Sequence, residues 1–205
     1  MQSTNLLVVF VKNPVKGKAK TRLAATIGDA AALEVYKRLI AITEKATSAV
    51  DGCDLHVYFS SETDEKLWSG KEQFVQKGSD LGERMFGAFD HGFNLGYERI
   101  AGVGSDLPDL TAETIQKGFK LLEEFDTVFG PSDDGGYYLI GMTKKIRCIF
   151  ENKAWSTEGL LNDTLTELNR EGYSSELLEV LNDVDTVEDL RSSSLAQHFT
   201  QHLQS

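Results

Sequence analysis

The sequence predicts an α/β protein, a three-layer α/β/α arrangement around a mostly parallel, mixed central sheet. Three observations carry that expectation. Apolar runs rich in β-branched residues alternate with stretches of helical period along the chain. The first run, NLLVVFVK, is continuously apolar, as in a strand covered on both faces. The unusual charged segments all follow strand candidates, where open parallel sheets bind their ligands.

The elements follow in order. After NLLVVFVK and a basic loop, DAAALEVYKRLIAITEKATSAV reads as a helix with Leu33, Tyr36 and Ile40 on one face. DLHVYFS is a second strand and EQFVQKG a third. LGERMFGAFDHGFNLG is helical, with Leu81, Met85, Phe89 and Phe93 in a four-residue row. RIAGVGS is strand-like and stops at DLPDL. Thr111 can cap the next helix, whose inner face is Ile115, Phe119 and Leu122. DTVFGPS and GYYLIGMT are two more strands, and TEGLLNDTLTELNREG is a helix with Leu161, Leu165 and Leu168 inward. LLEVLNDVDT closes the sheet, and a polar helix begins near Val187. Glu62, Asp64 and Glu65 read as a solvated helix start.

Composition narrows the class. The 205 residues suit one domain spanning 1–205, with no repeated period and three prolines. LLVVFV is too short for a membrane span or a signal core, so a soluble, cytoplasmic protein is expected. Cys53 and Cys148 fit no metal spacing and read as reduced thiols. The net charge of -11 argues against nucleic-acid or anionic-membrane partners. Against that background KNPVKGKAKTR, residues 12 to 22, gathers four lysines and one arginine without an acid.

That loop follows the first strand. Gly17 lets the backbone approach a ligand, and Lys20 and Arg22 alternate just before a helix. A positive concavity leading into a helix suits a di- or triphosphate, although the P-loop spacing is absent. A plain solvated loop is the alternative. Three acidic segments end other strands. Asp106 in GSDLP, stiffened by Pro108, can hold a hard cation such as Mg²⁺ or Mn²⁺. Asp183 or Asp185 in NDVDT can supply a second carboxylate; the alternatives are a turn for Asp106 and a helix cap for Asp185. In GPSDDGGYYLIG, Asp133 or Asp134 can take or hold an acceptor's proton, and Tyr137 or Tyr138 can stack on a ring. A tight hairpin explains the same residues without function. Trp155 either closes a pocket or packs. His198 and His202 have zinc-like i, i+4 spacing but no third ligand beside them, and His56 and His91 read as structural.

These segments together resemble a known family. KNPVKGKAKTRLAATIG, QKGSDLGERMFGAF, GSDLPDL, GPSDDGGYYLIG, WST and DVDTVEDL run in order from residue 12 to 190. The pattern is similar to the nucleotide-diphospho-sugar transferase superfamily, of glycosyltransferase A-type (Rossmann-like) fold. Within it the likeness is to small bacterial glycosyltransferase-like proteins related to 2-phospho-L-lactate guanylyltransferase and molybdenum cofactor guanylyltransferase. The resemblance implies that Lys20 and Arg22, with Lys12, Gly17 and Thr21, grip nucleotide phosphates. It implies that Gln76 and Arg84 contact the nucleotide, and that Asp106 and Asp185 hold Mg²⁺ or Mn²⁺. The segment of Asp133, Asp134, Gly135, Gly136 and Tyr137, with Trp155, would face a small-molecule acceptor.

Two reactions fit. Glycosyl transfer from a nucleoside-diphosphate sugar would call on a base such as Asp134 if the configuration inverts. Nucleotidyl transfer to a phosphate-bearing acceptor needs no strong base, only cations for the acceptor, for which Lys12 and Lys16 are candidates. The DGGYY pattern leans toward the glycosyltransferase-like reading. A catalytically silent nucleotide-binding module is the third possibility.

Overall fold

The structure, a computed structural model, describes residues 3–203. Its elements run β1 (Asn5–Val11), α1 (Thr21–Ile27), α2 (Asp29–Ser48), β2 (Asp54–Phe59), β3 (Glu72–Val75), α3 (Leu81–Asn94), β4 (Arg99–Val103), α4 (Ala112–Leu121), β5 (Thr127–Pro131), β6 (Tyr137–Met142), α5 (Leu160–Arg170), β7 (Ser175–Leu177) and α6 (Val187–Ser192). The strands form one sheet in the order β3-β2-β1-β4-β6-β5-β7. β1 pairs in parallel with β2 and β4, β2 with β3, and β5 with β7. Only β6 runs against its neighbours, β4 and β5. The carboxyl ends of the other six strands therefore share one edge of the sheet, and β6 starts from that edge.

Burial follows the period of two. Leu7, Val9 and Val11 of β1 join a core with Val35, Leu39 and Ile40 of α2 and Ile115 of α4. Leu6 and Val8 point the other way, to Ala88 and Phe89 of α3 and Leu168 of α5. Covering each such aliphatic side chain contributes about 1.5–3 kcal/mol. β1 is thus buried on both faces and can hold the loop that follows it on a rigid base.

Caps set the helix starts. Thr111 accepts from Thr114 N–H at 3.2 Å, as expected. Asp80 caps α3 through Glu83 N–H at 2.8 Å. Thr186, not Asp185, caps α6, in a reciprocal box with Asp189.

Four sequence expectations change. A short helix not expected from the sequence, α1, precedes the long one: α2 runs from Asp29 as read, and Gly28, at φ 84°, separates the two. Leu81 does not join the buried row of α3; it is 47% exposed at the helix start. Residues 62–65 form turns and no helix. Trp68 pulls that segment down, donating its backbone N–H to Glu44 at 2.6 Å and its indole N–H to Thr47 at 2.8 Å. The last helix stops at Ser192, and His198 and His202 fall in separate 3-10 turns, so the expected helical i, i+4 face does not form.

Candidate functional site

A cleft of about 660 Å³ opens along the carboxyl edge of the sheet. One side is charged. Lys12 and Lys20 line it from the loop after β1, Thr21 and Arg22 from the first turn of α1, Asp106 from the loop after β4, and Asp183 and Asp185 from the segment before α6. The other side is apolar and hydroxylic, with Leu81, Met85, Tyr137, Ile140, Trp155 and Leu160 beside Ser156 and Thr157.

The loop after β1 is pinned from below. The Asn13 carboxamide accepts from Ser61 N–H at 2.9 Å and Ser60 Oγ at 3.1 Å, and donates to the Glu62 carbonyl at 2.7 Å. The Tyr36 hydroxyl accepts from Lys12 N–H at 3.0 Å, donates to the Lys12 carbonyl at 2.8 Å and meets Ser105 Oγ at 2.9 Å. Tyr36 therefore ties the ends of β1 and β4 to α2. The loop then turns through Gly17, at φ 75°, and reaches Lys20, which adopts a left-handed conformation (φ 48°, ψ 51°) just before α1. A non-glycine residue held there is costly unless its surroundings require it.

Lys20 shows what requires it. Its side chain is only 6% exposed, and Nζ donates to Asp185 Oδ1 at 2.7 Å and Asp106 Oδ2 at 3.2 Å. Burial alone would lower its pKa, but the charges of Asp106 and Asp185 outweigh that and hold the ammonium above its usual value. Burial likewise works to raise Asp185, yet Lys20 and then Arg22, at 3.6 Å, keep its carboxyl below the usual range.

The acids reach the cleft by backbone design. A Cβ on Gly104 would lie 2.8 Å from Asp106 Oδ1, so glycine leaves room for that carboxylate. Leu178 N–H donates to the Phe129 carbonyl at 2.8 Å, Leu181 N–H to Pro131 at 3.1 Å and Val184 N–H to Asp106 at 3.1 Å. These bonds carry the chain from the end of β5 to the end of β4. Val184 is fully buried, which directs its neighbours Asp183 and Asp185 to the cleft. Asp106, Asp183 and Asp185 each offer a carboxylate oxygen, all within 4.8 Å of one another. Three oxygens from separate carboxylates fit a hard divalent cation. Asp183 is pushed up to about 7, by burial first and then by Asp106, with Lys20 opposing. The sequence left Asp183 open beside Asp185; the structure adds it to the cluster.

The other predicted residues divide. Gln76 lines the cleft and donates to the Tyr58 carbonyl at 2.9 Å. Arg84 lines it too, with Nε on the Gly78 carbonyl at 3.0 Å. Asp134, Gly136, Tyr137 and Trp155 line the cleft, whereas Gly17, Asp133 and Gly135 do not. Asp133 pairs with the Asn182 carboxamide, at 2.9 Å and 2.7 Å. Gly135, at φ 83°, lies under the 156–160 segment, where a Cβ would meet the Glu158 carbonyl at 2.0 Å. Asp134 Oδ1 accepts from Ser132 Oγ and from Gly136 N–H at 2.9 Å, so it also stiffens the β5–β6 turn. Leu81, Met85, Ser156 and Thr157 were not singled out for the site. Leu81 and Met85 resembled core residues, and only the fold brings residues 155–157 beside α3.

The described residues contain no helix long and apolar enough to cross a membrane. A search of the curated proteins finds no match. Among solved structures, a protein of Desulfovibrio desulfuricans G20, provisionally named a nucleotide-diphospho-sugar transferase, superposes with a TM-score of 0.89. It is 30% identical over 99% of this chain and 98% of its own. The inositol-1-phosphate CTP transferase of T. maritima shares the fold at TM-score 0.56 and 16% identity, covering 100% of this chain and 98% of that one. A cytidylyltransferase of Leptospira borgpetersenii serovar Hardjo-bovis (strain JB197) does so at 0.59 and 13%, covering 100% and 91%. The fold is that of the nucleotide-diphospho-sugar transferases, as the sequence resemblance implied. Residues 41–157, more than half of the chain, match a family model, and the chain belongs to the family it describes as "Uncharacterized protein conserved in bacteria (DUF2064)".

Proposed function

We propose that the chain is a metal-dependent transferase that takes a nucleotide-activated donor. The observation that carries this reading is the meeting of Lys20 and Arg22 with Asp106, Asp183 and Asp185 in one cleft at the strand ends. Arg22, 68% exposed in its side chain, is free to turn toward phosphate oxygens, and Lys12 extends the basic wall. Asp106, Asp183 and Asp185 would hold Mg²⁺ or Mn²⁺, which would neutralise charge on the phosphates and the departing group. The apolar side would receive the acceptor, with Trp155 and Tyr137 as its flat surfaces; Arg84, expected at the nucleotide, lies on this side among Leu81 and Met85 and would serve as the acceptor's cation instead.

Of the two reactions, nucleotidyl transfer to a phosphate-bearing acceptor, with pyrophosphate leaving, has the better support. The Asp134 carboxylate, the base an inverting glycosyl transfer would call on, is already engaged through Oδ1 by Ser132 Oγ and Gly136 N–H, which fix it in the turn. A phosphate nucleophile arrives already anionic and needs cations more than a base. Glycosyl transfer from a nucleoside-diphosphate sugar keeps its standing through the name of the 30%-identical Desulfovibrio protein. The test is a turnover screen with Mn²⁺ and with Mg²⁺. Pyrophosphate release from nucleoside triphosphates, dependent on an added phosphate ester, supports the first reading. Release of nucleoside diphosphate from nucleotide sugars supports the second. Nucleotide binding without turnover across a broad acceptor panel would count against both and favour a silent binding module.

A further inference from the structure

We propose that Lys20 is an exchangeable internal cation, so that this cleft admits its divalent ion as a cation–polyphosphate complex and rejects the free ion. The inference rests on the metal-dependent reading above and concerns what the site does before any donor arrives.

The geometry carries it. Nζ of Lys20 is within hydrogen-bonding distance of two of the three carboxylates that would hold an ion, 2.7 Å from Asp185 and 3.2 Å from Asp106. A free ion seeking those oxygens meets a fixed and covered positive charge. Lys20 cannot simply withdraw. Its side chain is 94% covered, its backbone is locked at the start of α1, and leaving would strand clustered carboxylates without their cation.

A polyphosphate changes the balance. Its oxygens offer Lys20 new anionic partners on the same wall, beside Arg22 and Lys12. As Nζ moves onto phosphate, Asp106 and Asp185 are released to an ion that the same phosphate carries in. The exchange swaps an ammonium for a divalent ion at the acids and supplies the ammonium with an anion. No covalent bond is made or broken, and no carboxylate is left bare. Arg22 cannot take this part, since it touches only Asp185, at 3.6 Å, and is largely exposed.

The signature is a pair of opposite signs. Lys20→Met should bind Mn²⁺ alone at least tenfold more tightly than the wild type, and should bind the Mn²⁺ complex of a non-hydrolysable nucleoside triphosphate at least tenfold less tightly. Lys20→Arg, which keeps the charge, should stay weak for Mn²⁺ alone. Titration calorimetry and Mn²⁺ paramagnetic resonance read both without turnover. Unchanged or weaker binding of free Mn²⁺ by Lys20→Met overturns the inference while leaving the metal site intact. If Asp106→Asn also fails to reduce Mn²⁺ uptake, the metal-dependent reading falls with it. Should Lys20→Met fail to fold, the wild type still decides. Free Mn²⁺ at millimolar levels should leave the ¹⁵Nζ signal of Lys20 sharp, and the Mn²⁺–nucleotide complex should broaden it away. Broadening by the free ion alone defeats the proposal.

Discussion

The two sides of the cleft are built by different means. The charged side stands on strand ends of a buried sheet and is held by charge: one covered ammonium, two carboxylates paired with it and a third beside them. The apolar side depends on the return of residues 150–160 over α3 and the β5–β6 turn, and it is held by close backbone contact. A Cβ on Gly82 would lie 2.2 Å from the Phe150 carbonyl, and one on Gly135 would lie 2.0 Å from that of Glu158. Asn152 and Ser156 in this return adopt positive φ, 56° and 62°. Such contrasts suit a fixed device for one invariant chemical group facing a more easily altered surface for a variable one.

Four changes should break or sharpen that contrast. Asp106→Asn attacks the charged side at its centre. It should lower kcat/KM on the order of a thousandfold, with the fold intact by circular dichroism. Wild-type turnover in that variant would remove Asp106 from the chemistry. Arg22→Ala should weaken a triphosphate ligand by roughly ten- to a hundredfold, as for a lost charge-assisted bond, and leave the bare nucleoside unaffected. Equal losses for both ligands, measured by calorimetry, would mean that this side does not read phosphate. Gly135→Ala addresses the other side through its scaffold. Positive φ and the Glu158 contact together should destabilise the protein by about 2 kcal/mol or more in chemical unfolding. An unchanged unfolding midpoint would show that the 156–160 segment is not held there. Trp155→Ala should raise the acceptor KM about tenfold through lost contact area while the donor KM stays put. A change in donor KM instead would dissolve the division of labour.

His56 supplies a reference far from this contrast. It is buried beneath α3 against Phe74, Tyr97 and His91. Burial, and then His91, hold its pKa below the ordinary value, with Glu72 and Asp54 opposing. The folded state thus prefers the neutral ring. Stability is full above the unfolded value near 6.5 and declines as pH falls below it. His56→Phe should flatten that decline in urea titrations between about pH 7 and 5. An unaltered slope would assign the effect to other groups.

Much of the charged side was legible in the sequence. Alternating strands and helices placed the basic loop and GSDLP at strand ends, and both meet NDVDT, which was read as the end of a closing strand LLEVLNDVDT but lies beyond β7, whose last residue is Leu177. The mixed sheet was legible as a class, but the reversal of β6 was not, because periodicity carries no direction. Asp183 could not be chosen over Asp185, since residues 178–186 are not a paired strand and their facing is set by bonds to Phe129, Pro131 and Asp106. The seven-residue α1 was not legible beside the basic loop; Gly28, at φ 84°, separates it from α2, which begins at Asp29 as expected. Asp133 and Gly135 read as cleft residues because the family resemblance turns the whole DDGG segment toward the acceptor. Asn182 and the Glu158 backbone, remote in sequence, draw these two away.

The buried Val184 between two acids has a wider meaning. A slip of one residue in this segment would drive an aspartate into the core and push the valine into water. The misthreaded chain would pay for the error in stability before any ligand was met. Correct charge placement is therefore tied to the stability of the fold, because the register that buries Val184 is the one that sets both acids at the cleft.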